Sequence, residues 1–357
     1  MIIVTILGLI VMFLSWLEGY GYIKNGLKIS FYLIFLISAI RFNYGNDYSG
    51  YYEAFNNINS YSTLTFADVG LIFEPGWILL NRIIKPFGFF SLIIILSYLN
   101  SVIFYRFIKK YVDPKFYWFA MFLYIFSTAN FLIGLSAMRQ NLSLLIFIHS
   151  IKYIENKQIF KYVLCIVFAA QFHLSAYILL LVYPLGRIQF KINNYIGIII
   201  FATYLALFEI APSLFPAFLA IATDALDKYS VYEGGQDASS GLGIILNSIF
   251  LLNIIYFYKF QDNNLRLPFK LGILGFMLIP IGLTFMMIGR LGLYTQPFLM
   301  LVYPMILSTS KSKIYSYGFV FFLMILTIYD YFIFFQSPIF SKDFGTYQTI
   351  FSANGWQ

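Results

Sequence analysis

The chain has 357 residues, 61% of them hydrophobic and only 11% charged, with a net charge of +8 and a mean hydropathy of +0.80. A soluble chain this long would hold about two domains. Here near-continuous apolar runs leave no room for one, so a single transmembrane domain over 1–357 is expected. One cysteine, Cys165, excludes an internal disulfide framework, and two histidines argue against a His-cluster metal site. The positive charge reads as loops on one membrane face, not as nucleic-acid binding.

Polar turns divide the chain into spans near 2–17, 28–40, 89–108, 115–132, 134–151, 161–185, 193–210, 243–259, 270–288, 291–308 and 314–335. This predicts an all-α bundle of about 11–12 crossings. Several runs fall below the ~20 residues that a ~30 Å hydrocarbon core requires, so short or broken helices are expected. The first run has no basic leader or small-residue cleavage site before Glu18 and reads as a span, not a removed signal.

Lysine and arginine collect near 24–28, 106–115, 152–161, 259–270 and 311–313, and the positive-inside bias places those loops on the cytoplasmic face. Two longer segments are acidic and rich in Tyr, Asn and Gly. Residues 41–75 carry Asp47, Glu53, Asp68 and Glu74 against Arg41; residues 216–242 carry Asp224, Asp227, Glu233 and Asp237 against Lys228. Both read as outer loops suited to sugar recognition, the first leading into a short interfacial helix over 75–86. Loop parity contains one conflict. If 161–185 is one crossing, Arg187 and Lys191 fall outside and every later loop inverts. A break at Gln171-Phe172-His173 restores agreement. Each arm is then too short to cross alone, a geometry tolerated where broken backbone lines a cavity. The alternative is one ordinary span, with an extra short crossing near 211–223.

Ionised residues inside apolar runs are costly, roughly 2.5–3.5 kcal/mol for an arginine at a helix centre, so those retained point to an outward-facing polar cavity. Arg41, at the outer end of a span, opposes the positive-inside bias and calls for an anion or carboxylate partner. Asp47 suits a turn or cap. Glu74, before Pro75, suits a helix start or the orientation of an arginine. Arg139-Gln140, about two turns inside its span, reads either as a snorkelling residue or as a cation for phosphate oxygens, which guanidinium binds in bidentate fashion. His173 is the histidine that lies inside the apolar bundle, suited to proton transfer, whereas His149 lies beside Lys152 near a basic loop. Arg290 stands between Gly289 and Gly292 at a hairpin, followed by Tyr294, where close backbone approach favours an anion. An Asp47/Glu53 metal pair is the weakest reading, and no metal is expected. The chain has no P-loop, GxSxG, HExxH or aspartate-rich nucleotide-sugar motif.

The order RFNYGNDYSGYY, FEPGWILLN, SAMRQNLSLLIF, AAQFHLSAYILL and GRLGLYTQPF, over roughly 40–300, resembles the EpsG family of Wzy-like polymerases of O antigens, capsules and exopolysaccharides. The resemblance implies a GT-C-like bacterial inner-membrane glycosyltransferase that uses neither nucleotide sugar, metal nor other cofactor. Its partners would be undecaprenyl-pyrophosphate-linked oligosaccharides, membrane lipids, and a chain-length regulator and flippase of the same pathway. The active site would face the periplasm. Arg139, Arg290 and His173 would be catalytic, with Arg41, Asp47, Glu74, Gln140 and Tyr294 binding substrate. The rival readings are a lipid-linked oligosaccharide flippase or other transporter, and a membrane O-acyltransferase that decorates the glycan.

Overall fold

A computed structural model describes residues 1–58, 73–189, 192–225, 241–261, 266–284 and 289–351. The chain is an all-α polytopic membrane protein. Two compact units divide it: Met1–Arg187 with Ser310–Gln357, and Ile188–Thr309.

In the first unit, α1 (Ile2–Gly19) and α2 (Gly26–Ala39) form an antiparallel pair held by polar contacts suited to an apolar solvent. Ser30 Oγ donates to Val11 O at 3.0 Å and meets Ser15 Oγ at 3.2 Å; small hydroxyl residues let helix backbones approach and bond across a membrane interface. A two-residue strand β1 (Arg41–Phe42), α3 (Tyr48–Asn57) and α4 (Pro75–Ile84) follow. Pro75 occupies the first helical positions of α4, where its missing N–H costs nothing. Trp77, Ile78, Asn81 and Ile84 form its buried stripe.

The long α5 (Phe89–Tyr111) leads into α6 (Tyr117–Phe126), α7 (Leu132–Ser136) and α8 (Met138–Glu155). The span expected over 115–132 is therefore interrupted. Ser127 and the residues after it turn the chain, and the ten-residue α6 is buried on nearly all sides. A helix wrapped in protein need not be long enough for lipid. The next helix starts at Met138, not 134, which moves Arg139 into its first turn.

The break expected at Gln171–His173 is present. Helix α9 (Ile159–Ala170) stops, His173 is extended at φ −154° and ψ 114°, and a 3-10 helix (Leu174–Leu181) continues into α10 (Val182–Arg187). The two arms fold back on each other: Tyr162 Oη donates to Leu179 O at 2.5 Å, and its ring lies 5.6 Å from that of Tyr183. Ile159 and Arg187 thus lie at the same end of a re-entrant hairpin.

After the second unit the chain returns as α15 (Lys313–Gln336) and α16 (Pro338–Phe344), and β2 (Gln348–Thr349) pairs antiparallel with β1, Arg41 opposite Thr349. The second unit contains α11 (Asn194–Ala225), α12 (Gly241–Tyr258), α13 (Arg266–Thr284) and α14 (Gly292–Thr309). The expected end of α11 near 210 is exceeded by about four turns. Of the outer loop expected over 216–242, residues 226–240 lie outside the described residues, as does Asp68. Among the described residues six helices can cross a membrane by length and composition: Ile2–Gly19, Phe89–Tyr111, Asn194–Ser213, Gly241–Tyr258, Arg266–Leu283 and Lys313–Gln336. Shorter apolar helices at Gly26–Ala39, Ile159–Ala170 and Leu174–Arg187 supply the short and broken elements.

Candidate functional site

Helices α5 and α8 run side by side in the same direction, so their ends define two chemically different zones. At their C-terminal ends Lys110 forms an ion pair with Glu155, which also accepts from Tyr111 Oη at 2.5 Å. At their N-terminal ends an aromatic core gathers Tyr48, Tyr51, Phe55, Trp77, Phe89, Met138 and Phe172. The candidate site rests on this core, built from four separate stretches of sequence.

RFNYGND sets the start of α8. Arg41, 2% exposed, donates from Nη2 to Leu135 O at 3.0 Å, and Ser136 Oγ accepts from the Asp47 amide at 3.1 Å. The structure thus gives Arg41 Nη2 a backbone carbonyl as partner. Its burial pulls the pKa down to about 10, which leaves it charged at neutral pH. Gly45, at φ +128°, passes so close that an added Cβ would lie 3.2 Å from Ser136 Cα; only glycine adopts such backbone without strain. Residues 343–347 close the same segment from behind. Asp343 O accepts from the Gly45 amide at 3.2 Å, and the Tyr44 ring sits 5.0 Å from Phe344 and 5.1 Å from Tyr347.

FEPGW grips the helix break. The Trp77 amide donates to Gln171 O at 3.2 Å. A Cβ at Gly76 would fall 2.7 Å from that same oxygen, so the turn and α4 interlock only because residue 76 has no side chain. Glu74 is the N-cap of α4 but makes no side-chain cap. Its carboxylate is used elsewhere: Oε1 accepts from the Leu174 amide at 3.1 Å, and Oε2 from Arg139 Nη1 at 2.5 Å. One carboxylate therefore ties the residue after His173 to Arg139.

A cation in a helix's first turn opposes the positive end of the helix dipole, and Glu74 offsets that conflict at Arg139. Arg139 Nε also donates to Tyr51 Oη at 3.4 Å, and its Cζ sits 4.6 Å from the Phe73 ring centroid. Arg139 and Glu74 side chains are 20% and 17% exposed, so one edge of the guanidinium is held while the group stays within reach of solvent. Burial pushes the Tyr51 hydroxyl up, so it remains a protonated donor. Such a flat, fixed fork matches phosphate oxygens.

His173 is half-buried, and its Nδ1 lies 2.8 Å from Ser175 Oγ. That contact couples the ring's tautomer to the serine hydroxyl. Gln140 is buried at 4% exposure, and Asp47 stands at the N-cap of α3 without a capping bond. Among the described residues no group of three or more His, Cys, Asp or Glu converges as a metal site.

The second unit carries Arg290 and Tyr294. Arg290 is exposed in the turn before α14, where its carbonyl accepts from the Leu293 amide at 3.2 Å, and Tyr294 is buried in the first turn. Gly289 packs closely on Gly282, where an added Cβ would lie 2.7 Å from Gly289 Cα.

Four of the five sequence stretches thus meet at one end of the first unit. Sequence reasoning missed Tyr51, Phe73, Ser136 and Ser175 as partners. Only Ser175, two residues from the histidine, carried a local signal. It also gave residues after 310 little part, whereas 338–349 clasp the Arg41 segment.

Comparison with curated proteins and with solved structures found no match. The EpsG family matches residues 27–349, which takes in all five stretches and the returning β2 strand. The chain belongs to the EpsG family, a family of Wzy-like polymerases, and its general role is that of a polysaccharide polymerase.

Proposed function

We propose that the protein transfers a growing glycan from undecaprenyl pyrophosphate onto the terminal sugar of a lipid-linked repeat unit, at the periplasmic face of the bacterial inner membrane. The observation that carries this reading is the Glu74 bridge, which ties Arg139 to the backbone beside His173. A glycosyl transfer of this kind needs a fixed cation for the departing pyrophosphate and a proton acceptor for the incoming hydroxyl, held in register.

In the reaction the acceptor hydroxyl oxygen bonds to the anomeric carbon as the bond from that carbon to the pyrophosphate oxygen breaks. His173 takes the hydroxyl proton on its imidazole. Arg139 meets the charge that develops on the pyrophosphate, the pre-placed electrostatic stabilisation that a water-poor site makes effective, and the GRLGLYTQPF stretch gives Arg290 the same assignment. Asp47, Gln140 and Tyr294 serve acceptor and donor sugars. Arg41 acts by holding the Leu135–Ser136 turn from which α8 starts. Orientation is supported by the basic ends of α5 and α8, since the positive-inside bias assigns that end to the cytoplasm and the Arg139 end to the periplasm. A flippase and a chain-length regulator of the same pathway are the expected partners.

Deleting the gene in its host and resolving the surface glycan on a gel tests the reading. Collapse of the ladder to a single repeat unit, restored by wild type but by neither Arg139→Ala nor Arg290→Ala, supports it. Complete loss of surface glycan would turn the assignment to a flippase, and an intact ladder to glycan decoration.

A further inference from the structure

The zone opposite the candidate site holds a second cation cluster with no part in the chemistry above. Between the last turns of α5 and α8 lies a cavity of about 190 Å³. Arg106, Lys110, His149 and Lys152 line it at the mouth, with Ile103, Phe107 and Ile148 among its apolar walls. Lys152 Nζ lies 2.8 Å from His149 Nε2, so this lysine is turned along the cavity rim. Lys110 is paired with Glu155. Arg106 makes no hydrogen bond or ion pair among the described residues.

Cations in the last turn of a helix complement its dipole, which accounts for Lys110 on α5 and Lys152 on α8. It does not account for Arg106, more than a turn farther in. Three cations line one cavity, Glu155 pairs with Lys110 alone among them, and like charges that close are destabilising without a counter-ion. The lining changes from cationic to apolar within one cavity, which is the profile of an amphiphile: an anionic head at the rim and hydrocarbon along the wall.

We propose that this cavity binds a phosphate anion, supplied by the headgroup of an anionic phospholipid whose acyl chains lie along the isoleucine-lined wall. Basic pockets between transmembrane helices recognise headgroups in this way, each nearby Lys or Arg changing affinity about fivefold. The site lies about 20 Å along α8 from Arg139, measured from Lys152 at 1.5 Å per residue, so it is separate from the pyrophosphate position. Occupancy would clamp together the two helices whose other ends support the candidate site.

The test uses the full chain in detergent micelles, titrated with phosphatidylglycerol, phosphatidylcholine or inorganic phosphate, and read by thermal unfolding and native mass spectrometry. Phosphatidylglycerol should raise the melting temperature and remain bound, phosphatidylcholine should do neither, and Arg106→Gln with Lys152→Gln should weaken the anionic lipid about thirtyfold. Lys109→Gln, one residue from the cavity lining, should bind as wild type, and size-exclusion in detergent separates lost binding from misfolding. Equal protection by inorganic phosphate alone would keep the anion site and assign it a soluble occupant. Equal binding of both phospholipids, or binding unchanged in the double variant, would overturn the proposal.

Discussion

Replacing Glu74 with glutamine removes one charge and almost nothing else. The amide keeps a carbonyl oxygen to accept from the Leu174 amide, now 3.1 Å from Oε1, so the helix break should stay in place. What is lost is the charge-assisted bond to Arg139 Nη1 at 2.5 Å. Hydrogen bonds to charged groups contribute about 1.5–3 kcal/mol. With the two side chains 20% and 17% exposed, water screens this one only in part. If Glu74 positions Arg139 for the leaving pyrophosphate, that energy appears in the transition state, and turnover should fall roughly 10- to 150-fold. The assay is chain extension of lipid-linked repeat units in membrane vesicles, with thermal unfolding in detergent alongside. Glu74→Gln should slow extension with little change in melting temperature, whereas Glu74→Ala, which also strands the Leu174 amide, should lower both. Wild-type extension by Glu74→Gln would refute the orienting role and leave Glu74 as a structural tie.

Arg139→Lys should restore little polymer, because an ammonium cannot hold Glu74 and Tyr51 and still present a flat fork; full ladder length from this variant would remove the bidentate argument. His173→Ala should stop extension yet retain lipid-linked substrate in a pull-down, while Ser175→Ala, which frees the ring, should slow extension about tenfold, the factor for losing one hydrogen bond of about 1.4 kcal/mol. Gly76→Ala places a Cβ 2.6 Å from Gln171 Cβ and should lower both melting temperature and activity; Gly50→Ala, with nothing within 4 Å, is the neutral comparison. Cysteines introduced singly at Lys161 and Arg187 should be labelled from the same side of the membrane, since α9 and α10 return to one end; labelling from opposite sides would contradict the re-entrant hairpin.

The helices were legible because lipid imposes long apolar runs, and nine of the eleven expected spans begin within about two residues of a helix start; those expected at 134 and 270 begin at 138 and 266. The break at His173 was legible through charge parity, a rule about loops and not about the helix itself. The site was legible only as separate stretches. Nothing local in FEPGW says that its glycine receives Gln171, or that Glu74 reaches Arg139, because both contacts are fixed by packing between elements far apart in sequence. Asp47 shows the same limit: a turn residue by its neighbours, it uses its amide on Ser136 while its carboxylate leaves the helix end uncapped. The interruption after Phe126 escaped notice because α6 is apolar throughout, and hydropathy cannot separate a helix buried in protein from one facing lipid.

The Glu74 bridge has a further consequence for how the protein is made. Glu74 precedes Arg139 by 65 residues and Leu174 by 100. At about 5–20 residues per second, the carboxylate waits roughly 3–13 s for its arginine. The clasp from 338–349 follows far later, since Ile339 meets Asn46 across 293 residues. Until Arg139 is made the nascent chain holds an unpaired carboxylate, and the Arg41 segment stays without its clasp until nearly the whole polypeptide has been synthesised.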